Sequence, residues 1–182
     1  MAEERTGEAF EEGMQLTVVG RRLQPGDAAP AFELDCLAAG AGFPHTVTLA
    51  DSAGSVRLLN VVNSLDTPVC HVETCRWERL GEDLGPGTRI YTVSMDLPFA
   101  QLRWKTAEGI AHEALSSHRS ERFGVDYGVL LREWRLFQRA VFVIDRHDRI
   151  VHAEYVADQM KEPDYDAAIR AVQRAAAEAQ LA

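Results

Sequence analysis

Residues 63–70 are Asn63-Ser64-Leu65-Asp66-Thr67-Pro68-Val69-Cys70, and they directly follow an apolar run over residues 56–62. The apolar run predicts a buried strand. Thr67 suits the N-cap of a helix, and Pro68 suits the first helical position because its missing N–H would have no partner there. This junction therefore predicts a strand that leads directly into a helix, as in an α/β fold.

A cysteine occupies the first turn of the predicted helix. Backbone N–H groups at a helix N-terminus lack partners, and together with the helix dipole they favour a negative charge. Cys70 should therefore ionise more easily than an ordinary thiol, and the thiolate is the nucleophilic form. The dipole contributes only about 0.3–1 kcal/mol in most settings, so a nearby arginine is expected to supply the rest. The junction thus points to thiol chemistry.

The composition is typical of a globular protein. The chain has 182 residues, a hydrophobic content of 46% and a formal net charge of −9 at pH 7. This charge argues against nucleic acid and anionic membranes as partners. No apolar run approaches the roughly 20 residues that span a bilayer, and residues 1–12 lack the basic and apolar regions of a secretory signal. Three cysteines do not make a disulfide framework, so we expect a cytoplasmic location.

Two regions are expected along the chain. Residues 1–13 are polar and predict a flexible N-terminal tail. Residues 14–182 contain no repeat, low-complexity segment or linker that would divide them, so they predict a single domain. Within this domain, the weak alternation over residues 14–19 predicts an N-terminal β-hairpin with its turn at residues 20–22.

Apolar runs and turn residues predict the remaining elements. The expected strands span residues 32–36, 47–49, 56–62, 90–93, 115–118, 140–144 and 149–156, the last two as an antiparallel pair. The expected helices span residues 68–84, 98–105 and 164–180, with a helical turn at residues 121–123. The spacing of four apolar residues in the first helix predicts one apolar face, made of Val69, Val72, Leu80 and Leu84.

Four segments of the chain resemble the thiol peroxidases, a branch of the peroxiredoxins. They are, in chain order, Ser64-Leu65-Asp66-Thr67-Pro68-Val69-Cys70, Asp96-Leu97-Pro98-Phe99-Ala100-Gln101, Arg139-Ala140-Val141-Phe142-Val143-Ile144-Asp145 and Glu162-Pro163-Asp164-Tyr165-Asp166-Ala167-Ala168. Their order and spacing match the family. The resemblance implies a thioredoxin-like α/β fold, in which helices flank a central mixed β-sheet, and it implies a homodimer.

The same resemblance implies the roles of three residues. Cys70 would be the peroxidatic cysteine, which attacks the terminal oxygen of a hydroperoxide and becomes a sulfenic acid. Thr67 would hold the peroxide and the thiolate through its hydroxyl. Arg139 would stabilise the thiolate and the charge that develops on the leaving oxygen. A thioredoxin-type donor would then reduce the enzyme, and neither a cofactor nor a metal is implied.

Two positions depart from the family pattern. Asn63 replaces the proline of the motif Pro-x-x-x-Thr-x-x-Cys, and it is small enough to fit and to hydrogen-bond locally. Lys105 stands where thiol peroxidases usually carry the resolving cysteine. Cys75 instead forms a Cys-x-x-x-x-Cys pair with Cys70, which resembles peroxiredoxin Q, where the second cysteine of the helix resolves the first. The resemblance therefore implies that Cys75 is the resolving cysteine.

The two cysteines cannot form a disulfide while the helix is intact. Five residues of helix separate their Cα atoms by about 8.6 Å, and a disulfide requires about 7 Å or less. Resolution by Cys75 therefore predicts local unwinding of the helix. Cys36, on the strand over residues 32–36, is the alternative resolving thiol, although a position in the core suits it better. If Cys75 is only a core residue, the protein is a one-cysteine enzyme in which an external thiol resolves Cys70.

Three other interpretations compete with a peroxidase. A disulfide reductase or redox sensor could use Cys70 and Cys75 without fast peroxide turnover, but the Cys-x-x-Cys motif of thioredoxins is missing. A non-catalytic binding module would explain the departures from the family pattern, but not the intact threonine, cysteine and arginine. A metal site at His71 and Cys75 would need further ligands with zinc-like spacing, and the sequence offers none.

Overall fold

The computed structural model describes residues 2–85 and 87–178 of the chain. The strands in these residues are β1 (Glu4–Glu11), β2 (Met14–Val19), β3 (Glu33–Cys36), β4 (His45–Thr48), β5 (Val56–Val61), β6 (Thr88–Ser94), β7 (Glu113–Ser116), β8 (Leu130–Leu131), β9 (Leu136–Phe137), β10 (Ala140–Ile144) and β11 (Ile150–Tyr155). The helices are α1 (Pro68–Gly81), α2 (Pro98–Glu108), α3 (Arg122–Asp126) and α4 (Tyr165–Glu178), with short 3-10 turns at Leu49–Ser52 and Glu82–Leu84.

A mixed sheet of seven strands forms the centre of the fold. Its strand order is β11-β10-β5-β6-β7-β3-β4. The pairs β5–β6 and β6–β7 are parallel, and the other neighbouring pairs are antiparallel. A second, antiparallel sheet has the order β1-β2-β8-β9. The predicted α/β class, with a central mixed sheet and flanking helices, is confirmed.

Strand β5 is buried at every position because apolar side chains cover both faces of the sheet around it. Leu58 belongs to one apolar cluster with Trp77 of α1 and Val172 of α4. Leu59, its neighbour in sequence, belongs to another cluster with Tyr127. The C-terminal end of β5 is therefore fixed in the middle of the protein, and the chain enters α1 from this fixed point.

The flexible tail predicted over residues 1–13 is wrong for residues 4–11, which form β1 and pair with β2. The predicted hairpin is present, but its turn lies at Glu12 and Gly13, where φ is 48° and 83°, and not at residues 20–22. Both turn residues adopt the left-handed conformation, which glycine tolerates and other residues rarely adopt.

Strand β1 was missed because little of its stabilisation is apolar. Its backbone pairs with β2 across the register from Glu4 to Glu11. The side chain of Arg5 is buried and donates hydrogen bonds to the carbonyl groups of Gly20 and Gly128. Polar side chains and backbone pairing of this kind leave no hydrophobic period in the sequence.

The buried face of α1 also differs from the predicted one. Val72, expected in the apolar face, is 48% exposed. The buried residues of α1 are Cys70, Glu73, Thr74 and Trp77. Since two of these are polar, hydrophobic periodicity could not identify this face.

The other predicted strands and helices overlap those of the structure. Strands β8 and β9 were not predicted, because each has only two residues. The predicted end of the last helix, residues 179–180, lies outside the described residues. None of the helices within residues 2–85 and 87–178 is both long and apolar enough to cross a lipid bilayer.

Candidate active site

The candidate site lies where β5 ends and α1 begins. Thr67 occupies the N-cap, with φ −91° and ψ 144°, and Pro68 begins the helix, as predicted. The first helical hydrogen bond runs from the amide of His71 to the carbonyl of Thr67 (2.9 Å). The Thr67 hydroxyl, however, donates to the carbonyl of Ser64 (2.9 Å) and caps no N–H of the first turn. These N–H groups therefore remain available to an anion.

Asp96 fixes the loop between β5 and α1. Its carboxylate accepts hydrogen bonds from the Ser64 hydroxyl (2.7 Å) and from the backbone amide of Leu65 (2.9 Å). It also accepts one from the hydroxyl of Ser94, at the end of β6 (2.7 Å). Because β6 runs parallel to β5, this carboxylate ties together the carboxyl ends of two neighbouring strands. It thereby positions the start of α1.

Cys70 is fully buried, and its side chain interacts with the guanidinium of Arg139. Arg139 directly precedes β10, the other neighbour of β5, and is 1% exposed. Its guanidinium pairs with the carboxylate of Glu73 and donates to the carbonyl of Gln159 (2.9 Å). Burial alone would lower the pKa of Arg139, but the charges of Glu73 and Cys70 raise it above its ordinary value. The guanidinium therefore stays cationic beside the sulfur.

Glu73 is a site residue that the sequence did not identify. It lies one turn after Cys70 on α1, its side chain is buried, and it faces Arg139. Burial raises the pKa of this carboxyl group to about 7, although the nearby guanidinium opposes the shift. The carboxyl group of Glu73 and the sulfur of Cys70 therefore face the same guanidinium. An acidic residue on a helix usually faces the solvent, so the sequence did not indicate that Glu73 is buried in the site.

Asn63, which replaces the proline of the family motif, fits in the core and forms hydrogen bonds, but its amide nitrogen bonds to distant segments of the chain and not locally as expected. Its amide nitrogen donates to the carbonyl of Phe137 (2.5 Å) and to the side-chain oxygen of Gln159 (3.2 Å). Its amide oxygen lies 3.8 Å from the sulfur of Cys70, within reach of a weak S–H donor. The same Gln159 oxygen accepts from the backbone amide of Arg139 (2.8 Å). Gln159 is thus a second residue that the sequence did not identify.

A pocket of about 360 Å³ opens at this cluster. The polar side chains of Asn63, Thr67 and Arg139 line it, whereas the buried Cys70 does not. Its apolar lining consists of Pro68, Val69, Trp134, Leu136 and Met160. Such a pocket admits a small polar group together with an apolar substituent.

The N-terminal hairpin forms one wall of this pocket. Glu11, at the end of β1, and Glu12, in the turn, line the pocket. Burial raises the pKa of Glu11, as does the charge of Glu12. The backbone of Phe10 accepts a hydrogen bond from the amide of Gln159 (2.8 Å) and donates one to Ala157 (2.7 Å). The segment predicted as a flexible tail is therefore part of the site.

Cys75 lies on α1 and packs against the apolar cluster that contains Cys70 and Trp104. It is partly buried, and α1 is continuous between the two cysteines. Burial raises the pKa of the Cys75 thiol, and Glu108 raises it further, whereas Arg79 opposes the shift. The structure thus places Cys75 on the same helix as Cys70 but does not bring the two sulfurs into bonding geometry.

Cys36 lies on β3 in the main apolar core. Three strand positions separate β3 from β5, a distance of about 14 Å. Burial raises the pKa of the Cys36 thiol, and the positive charge of Lys105 opposes this shift. Burial also lowers the pKa of Lys105 itself. Lys105, at the usual resolving position, therefore acts electrostatically on Cys36 and does not line the Cys70 pocket.

Known proteins resemble this chain over most of its length. The model of the Redoxin family matches residues 24–169. The thiol peroxidase of Streptococcus sanguinis is 45% identical over 161 residues, which cover 88% of this chain and 95% of that protein. The thiol peroxidase of Bacillus subtilis is 40% identical over 161 residues, which cover 88% of this chain and 93% of its own.

Solved structures give the same result for the fold. A peroxiredoxin-like protein from Aquifex aeolicus superimposes with a TM-score of 0.82 at 29% identity, over 93% of this chain and 98% of that chain. A thiol peroxidase from Chromobacterium violaceum, at 23% identity, has a TM-score of 0.79 over 91% of this chain and 95% of its own. The thioredoxin-like fold predicted from the sequence is confirmed. The chain belongs to the thiol peroxidase branch of the Redoxin family.

Proposed function

We propose that this thiol-dependent peroxidase uses Cys70 as its peroxidatic cysteine, with hydrogen peroxide and organic hydroperoxides as substrates. One observation carries the assignment. The sulfur of Cys70 lies in the first turn of α1 beside the buried guanidinium of Arg139. A helix N-terminus and a fixed cation both stabilise a thiolate, and the pocket lined by Thr67 and Arg139 supplies a route for the substrate.

In the first step, the Cys70 thiolate attacks the terminal oxygen of the hydroperoxide. The O–O bond breaks, the leaving oxygen takes a proton to give an alcohol or water, and the sulfur becomes a sulfenic acid. Arg139 stabilises the negative charge as it moves from the sulfur to the leaving oxygen. The hydroxyl hydrogen of Thr67 is engaged with Ser64, so its oxygen lone pairs are free to accept the peroxide O–H.

The lining of the pocket supports organic hydroperoxides. Trp134, Leu136 and Met160 offer an apolar surface beside the polar Thr67 and Arg139. This surface suits an alkyl or acyl substituent on the peroxide. The carboxylates on the hairpin wall favour an uncharged substituent over an anionic one, since like charges repel.

In the second step, the Cys75 thiolate attacks the sulfenic sulfur of Cys70, the S–O bond breaks, the leaving hydroxide takes up a proton to become water, and a disulfide forms. Because α1 is continuous from Pro68 to Gly81, this step requires the beginning of the helix to unwind. The position of Cys36 in the core, three strands away from β5, supports Cys75 over Cys36 as the resolving thiol.

The cycle then needs an external reductant. We assign this role to a thioredoxin-type dithiol, which attacks the disulfide and restores both cysteines. The working unit is a homodimer, and the exposed Leu97 and Phe99, at the start of α2, support a contact with a second copy of the chain. The reducing cytoplasm is the compartment in which this cycle operates.

Addition of one equivalent of hydrogen peroxide to the fully reduced protein tests the proposal. Intact mass and peptide mapping should reveal the loss of two hydrogen atoms and a bond between Cys70 and Cys75. An added oxygen on Cys70, or a bond to Cys36, would keep the peroxidase but remove Cys75 from the cycle. No reaction at Cys70 would overturn the assignment. A disulfide that forms only slowly, without turnover in the presence of a thioredoxin system, would favour a redox sensor.

A further inference from the structure

A second set of reactive side chains lies beside Cys75, and we propose that it binds Zn²⁺ in the reduced protein. His71 and Cys75 on α1 and Glu108 at the end of α2 each offer one ligand atom, and the three atoms lie within 4.8 Å of one another. The peroxidase reaction proposed above uses neither His71 nor Glu108. The sequence analysis rejected a metal site at His71 and Cys75 because it found no further ligand; the structure supplies Glu108, which comes from a different helix.

The geometry is close to that of a tetrahedral zinc site. His71 and Cys75 are four residues apart on one helix, so their side chains lie on the same face. The imidazole Nε2 of His71 lies 3.6 Å from a carboxylate oxygen of Glu108. Bond lengths of about 2.0–2.3 Å in a tetrahedron place pairs of ligand atoms about 3.3–3.6 Å apart. Side-chain shifts on the order of 1 Å therefore complete the site.

The imidazole of His71 is held in position by a neighbouring ring. The buried Trp104 contacts it edge to face, with ring centroids 5.4 Å apart and an interplanar angle of 87°. Such contacts restrict the rotation of the imidazole, so less ordering is required when an ion binds. The side chains of His71 and Glu108 are 41% and 35% exposed, which leaves a path from solvent and an open position for a water ligand.

The chemistry of the three ligands favours zinc over magnesium or calcium. Thiolate and imidazole are preferred by Zn²⁺, whereas Mg²⁺ and Ca²⁺ prefer oxygen ligands. Both Glu78 and Glu108 act on Cys75 as negative charges, and Arg79 is the opposing positive charge. The local field is therefore favourable to a divalent cation.

A second group, made of Cys36, His45 and Glu113, also has its ligand atoms within 4.8 Å of one another. Its thiol is buried in the core. Lys105 acts on Cys36 and Glu113 as a positive charge, which disfavours a second cation there. This group therefore serves as the matched control for the site at Cys75.

Zinc at this site would couple to the redox cycle, and this part of the inference rests on the proposed role of Cys75. The ion binds the sulfur of Cys75 and links α1 to α2. This link opposes the unwinding of α1 that disulfide formation requires. When the Cys70 sulfenic acid does react with the zinc-bound thiolate, one proton is consumed, and a disulfide, one water and free Zn²⁺ result. The two electrons have by then passed from the sulfurs to the peroxide.

Titration of the reduced, metal-free protein tests the binding. Calorimetry with Zn²⁺ should give one ion per chain, and Co²⁺ as a probe should give a sulfur-to-cobalt charge-transfer band. Cys75→Ser should abolish the band, and Glu108→Gln and His71→Asn should each weaken binding about tenfold or more. Cys36→Ser should leave the binding unchanged. A missing band, or a band lost in Cys36→Ser but kept in Cys75→Ser, would overturn the site.

A release experiment separates this inference from the proposed function. One equivalent of hydrogen peroxide is added to the zinc-loaded protein in the presence of a chromogenic chelator. We expect zinc to be released in step with disulfide formation. A Cys70–Cys75 disulfide in a protein that never bound zinc would refute the inference and leave the peroxidase intact. Zinc that stays bound while Cys70 gains an oxygen atom would refute the coupling and the resolving role of Cys75.

Discussion

Disulfide formation between Cys70 and Cys75 should melt the beginning of α1, and the size of the change follows from helix geometry. Five residues of intact helix hold the two Cα atoms about 8.6 Å apart. A disulfide spans at most about 7 Å between Cα atoms, so the gap of more than about 1.5 Å cannot be closed by side-chain rotation. Oxidation must therefore break backbone hydrogen bonds of the helix.

The affected amides can be named from the hydrogen-bond pattern. The first helical bond of α1 joins the amide of His71 to the carbonyl of Thr67, and each later amide bonds four residues back. If residues 68–75 unwind, the amides of residues 71–79 lose their acceptors. A net contribution of about 1 kcal/mol per hydrogen bond means that opening two or three helical bonds together costs about 2–3 kcal/mol in the reduced protein, and each 1.4 kcal/mol slows exchange about tenfold. These amides should therefore exchange roughly a hundredfold faster in the oxidised protein.

Amide hydrogen exchange, resolved by fragment mass spectrometry, measures this difference between the reduced and oxidised protein. The matched control is Cys75→Ser treated with one equivalent of peroxide, which oxidises Cys70 without a disulfide and should keep α1 protected. The amides of α4, over Tyr165–Glu178, provide an internal reference. Slow exchange over residues 71–79 in a protein whose disulfide is proven by mass would refute the reasoning.

Three further perturbations follow from the contacts of the site and of α1. Arg139→Lys should slow oxidation by peroxide about 100-fold in stopped-flow measurements, because one ammonium group cannot replace the guanidinium contacts; an unchanged rate would contradict this. Asn63→Ala should lower the free energy of unfolding by about 1–3 kcal/mol in urea titrations, because the carbonyl of Phe137 loses a buried donor and the side-chain oxygen of Gln159 keeps only the amide of Arg139. His112 lowers the pKa of Glu78 to about 2, so this carboxylate stabilises the fold above pH 4.5 and loses that effect as the pH falls towards 2. Glu78→Gln should therefore be about 1–2 kcal/mol less stable than the parent at pH 7, with a difference that shrinks between pH 4.5 and pH 3 in urea titrations; a constant difference would exclude this ion pair as the cause.

The junction of β5 and α1 could be predicted because its signals are local. An apolar run, a threonine N-cap and a proline in the first helical turn are adjacent in the sequence. The contact between Cys70 and Arg139 could not be predicted from local signals. Nearly seventy residues separate the two, and capping or periodicity relates only residues that are close in the sequence. The family motif supplied that relation, and the adjacency of β5 and β10 explains it.

Glu73 and Gln159 could not be predicted, since both are polar residues that are buried for electrostatic reasons. Hydropathy assigns such residues to the surface, whereas Glu73 balances the charge of Arg139 and Gln159 holds its backbone and guanidinium. Strand β1 was not predicted for a related reason: backbone pairing and the buried Arg5 stabilise it. Hydrophobic periodicity cannot identify buried polar residues whose partners lie far away in the sequence.

The hydrogen bonds between Phe10 and the segment of Ala157 and Gln159 bear on how this protein is made. Synthesis proceeds from the N-terminus, so β1 leaves the ribosome well before its partners after β11, which follow much later in the chain. The pocket wall, and the carbonyl of Gln159 that anchors Arg139, therefore assemble only after residue 159 has been made. A shorter nascent chain carries Cys70 and Arg139 without the contacts that hold the guanidinium in place, so the proposed reactivity towards peroxide should arise only after these late contacts form.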